Sequence, residues 1–380
     1  MSGQPQSITR LGYLDNLRST MIVWVVAFHT AITYSHIGSW YYSDPRPTDN
    51  ISSIVFLTFE AHSQAFFMGI LFLLAGYFVP GAFDRKGFPR FMTDRFVRLG
   101  VPSLLYIFII QPFLLHYLLG AGKGSVVDYY RSFLASGDWL TGAGPMWFAI
   151  ALLIFCLVYG LFRMIVPTKK EAFALSAPGL AGLMGTGLVV AVFAFLIRTK
   201  EPMGRGFLYF QPAFFTQYIV LFALGIVAYR NNWFVSLPKR LGCGLLIGAA
   251  ILSPIAWSGL LILGGGLQQG ITNYVGGWRW QSAGYALWES LFCMAICPGF
   301  LVLYREHFNG RGRISKLMSD NSFGIYFAHP PIVIAVSQMF VGLALPPLAK
   351  WLVVAPLALL ATLAVVHLVL RRTPLLRRII

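Results

Sequence analysis

Apolar residues fall in long runs separated by short polar stretches, with no sustained two-residue alternation. A helix needs about 20 mostly apolar residues to cross the hydrocarbon core of a bilayer. Ten runs meet that length, near 17–37, 54–79, 100–119, 145–165, 179–198, 209–229, 241–263, 283–303, 321–341 and 349–369. The connections leave no room for a separate soluble unit. The pattern therefore predicts an all-α polytopic membrane helix bundle of about ten transmembrane helices, with 1–380 as a single domain. The first run carries polar side chains and lacks a small-residue cleavage site, so it reads as an uncleaved first span rather than a signal peptide. Within the fifth run, the glycines from Gly179 to Gly187 predict close helix packing.

Composition agrees with this reading. The chain is 57% hydrophobic and 11% charged, against roughly 25% charged in soluble domains. The net charge of +16 would suit a nucleic-acid partner if it formed one surface, but its distribution follows the spans. With the N-terminus in the cytoplasm, the N-terminal flank, loops 83–98, 163–172, 230–240 and 305–316, and the tail from Arg371 share one side. Together they hold 21 of the 29 basic residues. This is the positive-inside pattern, matched to anionic headgroups, and it places both termini in the cytoplasm. No basic surface is left for nucleic acid. The four cysteines, Cys156, Cys243, Cys293 and Cys297, lie in apolar runs without metal-ligand spacing, so no metal is expected.

Ionisable groups inside spans are costly and mark functional sites by default. His29 lies roughly 18 Å into the first run at 1.5 Å per residue, near mid-depth. Arg18 lies at the inner edge, eleven residues earlier. Eleven steps of about 100° bring both to one face, about 16.5 Å apart. A phosphate-headed donor with a long arm fits that spacing; an arginine snorkelling to headgroups and a histidine bonded to a neighbouring helix fit it equally. Glu60 in the second run has a depth close to that of His29 and is the expected orienting carboxylate. Gln64 is one turn deeper. Glu289 is at similar depth in the eighth run. His329, before Pro330 and Pro331, sits where a broken helix can line a cavity or simply kink. Arg95 and Arg98 share a helical face in an inner loop, as a phosphate clamp or as ordinary inner charge. Outside, Trp278 and Trp280 beside amide side chains suit sugar stacking, whereas Trp40, Tyr41 and Tyr42 read as an interfacial aromatic belt.

Several motifs then occur in order. These are Leu14-Asp-Asn-Leu-Arg18 with His29, Phe66-Phe67 with Ala75-Gly-Tyr-Phe78, Arg95-x-x-Arg98-Leu-x-x-Pro102, Gly144-Pro-Met-Trp147-Phe, and Phe323-Gly-Ile-Tyr-Phe-Ala-His329-Pro. Together they resemble the acyltransferase-3 family of multi-pass membrane acyltransferases, over essentially the whole chain. The resemblance implies transfer of an acyl group, succinyl or acetyl, from cytoplasmic acyl-CoA to a hydroxyl of an extracytoplasmic glycan, in a bacterial inner membrane. It is nearest in appearance to the group that succinylates periplasmic glucans. It implies His29 as catalytic residue, with Arg18, Arg95 and Arg98 on the donor. Gln64, Trp278, Trp280, Glu289 and His329 are the candidate acceptor contacts. No esterase-like domain follows the last span, so transfer is expected to be direct or to use a separate partner. The competing reading is a transporter or flippase, which predicts internal repeats; none is visible between the two five-span halves.

Overall fold

A computed structural model of the chain describes residues 11–121, 124–140, 142–166, 175–206, 209–374 and 376–379. Arg10 and the inner-loop positions 167–172 lie outside the described residues. Among those described, the long helices are α1 (Gly12–Ser35), α2 (Asn50–Leu118), α3 (Trp147–Ile165), α4 (Leu180–Arg198), α5 (Pro212–Arg230), α6 (Lys239–Leu263), α7 (Trp280–His307), α8 (Arg313–Met339) and α9 (Pro347–Leu368). Seven of these are long and apolar enough to cross a membrane by length and composition. The two that fall short, α1 and α8, are the helices that carry His29 and His329. The chain is an all-α polytopic bundle.

The 69-residue α2 holds two of the expected spans. It breaks at Gly87, whose φ of 68° lies in the region that glycine alone enters without cost. The second arm runs back beside the first. Tyr106 on that arm meets Tyr41, from the loop that precedes the first arm, with 3.2 Å between their hydroxyl oxygens. Asp84 pins the turn by accepting two hydrogen bonds from Arg230 of α5, at 2.6 and 3.1 Å, with Arg163 of α3 at 3.6 Å. Past Phe96 the arm alternates between π- and α-helical turns.

The first arm of α2 is the hub. On one side α1, α8 and α9 pack together; on the other lie α4, α5, α6 and α7. The tightest approach joins α2 and α5. A Cβ on Gly76 would fall on the Phe222 carbonyl, and one on Gly225 on the Leu73 carbonyl. This corrects the expectation for the glycine-rich fifth run. Of its glycines only Gly187 lies against another helix, where an added Cβ would come within 3.1 Å of Leu291, while Gly179 and Gly185 face open space. Small residues permit close packing only where they face a partner, and the α4 face that carries most of them does not.

Candidate active site

Pro330 organises the centre of the site. Proline has no N–H, so the carbonyl four residues earlier loses its helical partner. That carbonyl belongs to Tyr326, and His329 Nδ1 lies 2.7 Å from it. A carbonyl only accepts, so Nδ1 carries the proton. With both rings neutral, His329 Nε2 is then an acceptor. His29 Nδ1 lies 2.8 Å from it and must donate. The lone pair on His29 Nε2 is thereby left free to take a proton. The two imidazoles are nearly parallel, 9° apart, and His329 is fully buried. Proline, backbone carbonyl and second histidine together fix one tautomer of the first.

One face of the His29 ring is covered. Trp40 stacks on it with ring centroids 4.1 Å apart, and its Nε1 has no hydrogen-bond partner among the described residues. The loop carrying Trp40 is tied down at several points. His36 Nε2 donates to the Asp44 carbonyl at 2.7 Å, and the Asp44 N–H donates to the Thr33 carbonyl at 2.8 Å. The Asp44 carboxylate takes a 2.8 Å ion pair from Lys350 of α9. Both ends of that pair are buried. Tyr41, the next residue, bonds to Gln111. The belt reading of the sequence did not anticipate this placement for Trp40. Periodicity cannot place a loop, and the signal that bears on it is Asp44 and Lys350, two opposite charges beside apolar runs.

At the end of the bundle expected to face the cytoplasm, a cavity of about 800 Å³ opens between α1, both arms of α2, α3, α8 and the C-terminal segment. Its wall contains Arg18, Arg95 and Arg98, together with Arg85, Lys86, Arg371 and Arg377. The three arginines picked from the sequence therefore meet in one space. Arg18 is paired with Asp15 at 3.2 Å, and Arg95 lies over Phe91 at 5.2 Å. Lys86 pairs with Asp94, and its hydrogen bond holds that carboxyl below the usual carboxylate range. Tyr326 also lines the cavity, and its ring centroid is 6.3 Å from that of His329. One helical turn thus joins the basic cavity to the imidazole pair.

The remaining candidates lie elsewhere. Glu60 is buried, but its neighbour is Ser35, six residues beyond His29. Beside His29, the face of α2 turned to α1 carries Phe67, whose ring centroid is 4.8 Å from that of Phe28; Phe59 and Ser63 contact Trp24, at 5.8 Å between ring centroids and 2.8 Å to its Nε1. The expected Glu60–His29 contact is thus replaced by His329. Counting residues from the run ends placed Glu60 level with His29, whereas it lies beside Ser35, about 9 Å further along α1. Gln64 points to the α5 side, 3.3 Å from the Tyr218 hydroxyl. Glu289 forms an ion pair with Arg198 that excludes solvent from both. Arg198 also donates twice to the Ala213 carbonyl, at 3.2 and 3.1 Å. The sequence reading did not single out Arg198, which closes the fifth apolar run. Trp278 and Trp280 are exposed, Trp278 edge-on to Phe195, and neither joins His29.

Among the described residues, no group of three or more His, Cys, Asp or Glu side chains is placed to hold a metal ion. No curated protein and no solved structure matches the chain. The family model described as an acyltransferase domain, Acyl_transf_3, matches residues 11–371. With nearly the whole sequence inside that match, and an imidazole pair above a basic cavity in an all-helical bundle, the chain belongs to the acyltransferase-3 family of membrane acyltransferases.

Proposed function

We propose that the protein is an acyl-CoA-dependent O-acyltransferase that moves a succinyl or acetyl group from the cytoplasm to a hydroxyl of an extracytoplasmic glycan. Its setting is the bacterial inner membrane, as one ten-span domain with both termini inside. The observation that carries this reading is the imidazole pair one helical turn above an arginine-lined cavity. Guanidiniums bind phosphate in a bidentate, geometrically defined way. The donor's phosphates sit among Arg18, Arg95 and Arg98, and its pantetheine arm reaches up the face of α1 past Ile22. The thioester then lies beside His29.

The acceptor hydroxyl arrives from the Trp40 side. His29 Nε2 removes its proton as the oxygen attacks the thioester carbonyl. The tetrahedral intermediate collapses, the carbon–sulfur bond breaks, and the imidazolium returns the proton to the leaving thiolate. The products are an ester and free coenzyme A. His329 steadies the transient charge by accepting from His29 Nδ1 throughout.

The test is acyl transfer by purified, folded His29→Ala protein at saturating acyl-CoA. Loss of the general base removes about 10²- to 10⁴-fold of the rate, while donor affinity stays near that of wild type. Activity within about tenfold of wild type, short of that range, would take His29 out of the mechanism and favour a transporter or flippase.

A further inference from the structure

We propose that the segment after α9 forms a subsite for the phosphorylated nucleotide end of the donor, with Arg371 and Arg377 as its ligands. This rests on the acyl-CoA reading above and goes beyond the three motif arginines on which that reading was built.

The argument starts from charge. Seven cations and two carboxylates, Asp94 and Asp320, line the cavity. Lys86 is spent on Asp94, and Arg18 on Asp15. Among the described residues no ion pair engages Arg85, Arg95, Arg98, Arg371 or Arg377. Gathering guanidiniums around one space is unfavourable unless an anion joins them. A phosphomonoester alone carries about −1.5 to −2 at neutral pH, and a diphosphate adds more. The 3′-phosphorylated nucleotide end of coenzyme A has both.

The second argument is the path of the chain. A tail that served only as inner-side charge would leave the bundle for the headgroups. This one turns back. Helix α9 stops at Leu368, and Val369 follows with φ stretched to −114° at ψ −65°. Leu370 packs against the core. Two short 3-10 turns follow, Leu370–Arg372 and Leu376–Arg378. They bring Arg371, Arg377 and Ile379 into the cavity wall. Arg95 and Arg98 come from the arm of α2 beyond Gly87, so two unconnected segments supply guanidiniums to one space. That arrangement suits an anion with phosphates at two positions rather than a single charge.

Anionic lipid headgroups share the phosphate chemistry, and the experiment separates the two. The full chain is purified into nanodiscs of zwitterionic lipid, and the KM is measured for acyl-CoA and for acyl-pantetheine, which lacks the nucleotide. For Arg371→Gln/Arg377→Gln the KM for acyl-CoA should rise about 10- to 100-fold, the loss expected for charge-assisted contacts. The KM for acyl-pantetheine and kcat at saturation should stay within about twofold, far below that loss. Lysine at both positions should restore part of the affinity. An unchanged KM for acyl-CoA, or equal rises for both donors, overturns the subsite. So does a defect seen only in discs containing anionic lipid, which would assign the tail to headgroups. Because the double variant can misfold, wild-type protein is also tested with acyl-dephospho-CoA, whose KM should exceed that of acyl-CoA; equality there counts against the proposal. If wild type instead uses neither thioester, the donor reading itself fails.

Discussion

At the scale of single residues, the site turns on a missing hydrogen. Pro330 is usually read as a helix breaker, but here it supplies an acceptor: the carbonyl it strands on Tyr326 holds His329, which holds His29. Pro330→Ala would give that carbonyl a backbone N–H partner and compete with His329 Nδ1. The variant should be at least as stable as wild type, since proline in a helix interior costs about 3 kcal/mol. Its kcat should nonetheless fall by roughly tenfold or more, within the range that general-base help provides, with KM for the donor little changed. A stabilised protein with full activity would show that the carbonyl does not orient the pair. His29 was legible because a histidine at mid-depth is rare and Arg18 shares its face. His329 was visible as a candidate, but its role was not. Spacing gives depth and azimuth on one helix, whereas a partnership across 300 residues depends on how two helices are rotated against each other.

At the scale of helices, α2 shows both what a hydropathy pattern carries and what it omits. The two apolar runs and the basic loop between them are plain in the sequence. The tight turn depends on Gly87 and Asp84, which an average over twenty residues cannot weigh. Packing was misassigned for a related reason. A cluster of glycines in α4 attracted notice, while the working contacts are two isolated ones, Gly76 and Gly225, facing each other's backbones across α2 and α5. Gly225→Ala should therefore destabilise the bundle by more than the 1–3 kcal/mol typical of overpacking, because the obstacle is a carbonyl rather than a movable side chain. Gly185→Ala, facing open space, should be neutral or slightly stabilising by helix propensity. Thermal unfolding of the two variants in the same detergent checks this directly, and equal midpoints would contradict the packing described.

At the scale of the whole molecule, the segments expected on the inner side meet at one end of the bundle, around the basic cavity and the Asp84 ion pairs. Sidedness relative to the cell is testable with single cysteines on a background lacking the four native thiols. Position 86 should be labelled from the cytoplasm and position 128 from outside; both Lys86 and Asp128 are substantially exposed. Labelling of both from one face would overturn the orientation and the mechanism built on it. The placement of Trp40 has a further consequence. With the proposed sidedness, an imidazole pair approached from the cytoplasm by a wide basic cavity is one half of a conductive path. An indole stacked on His29, in a loop fastened by Asp44 and Lys350, would interrupt the other half. If the protein sits, as proposed, in a membrane that stores energy as a proton gradient, loss of that stack would open a route for discharging the gradient. Trp40→Ala in sealed vesicles should therefore dissipate an imposed pH difference faster than wild type, and restoring the stack with Phe should slow it again. The ring that covers the base would in this sense also be electrical insulation, which the proposed transfer of an acyl group across a charged membrane requires.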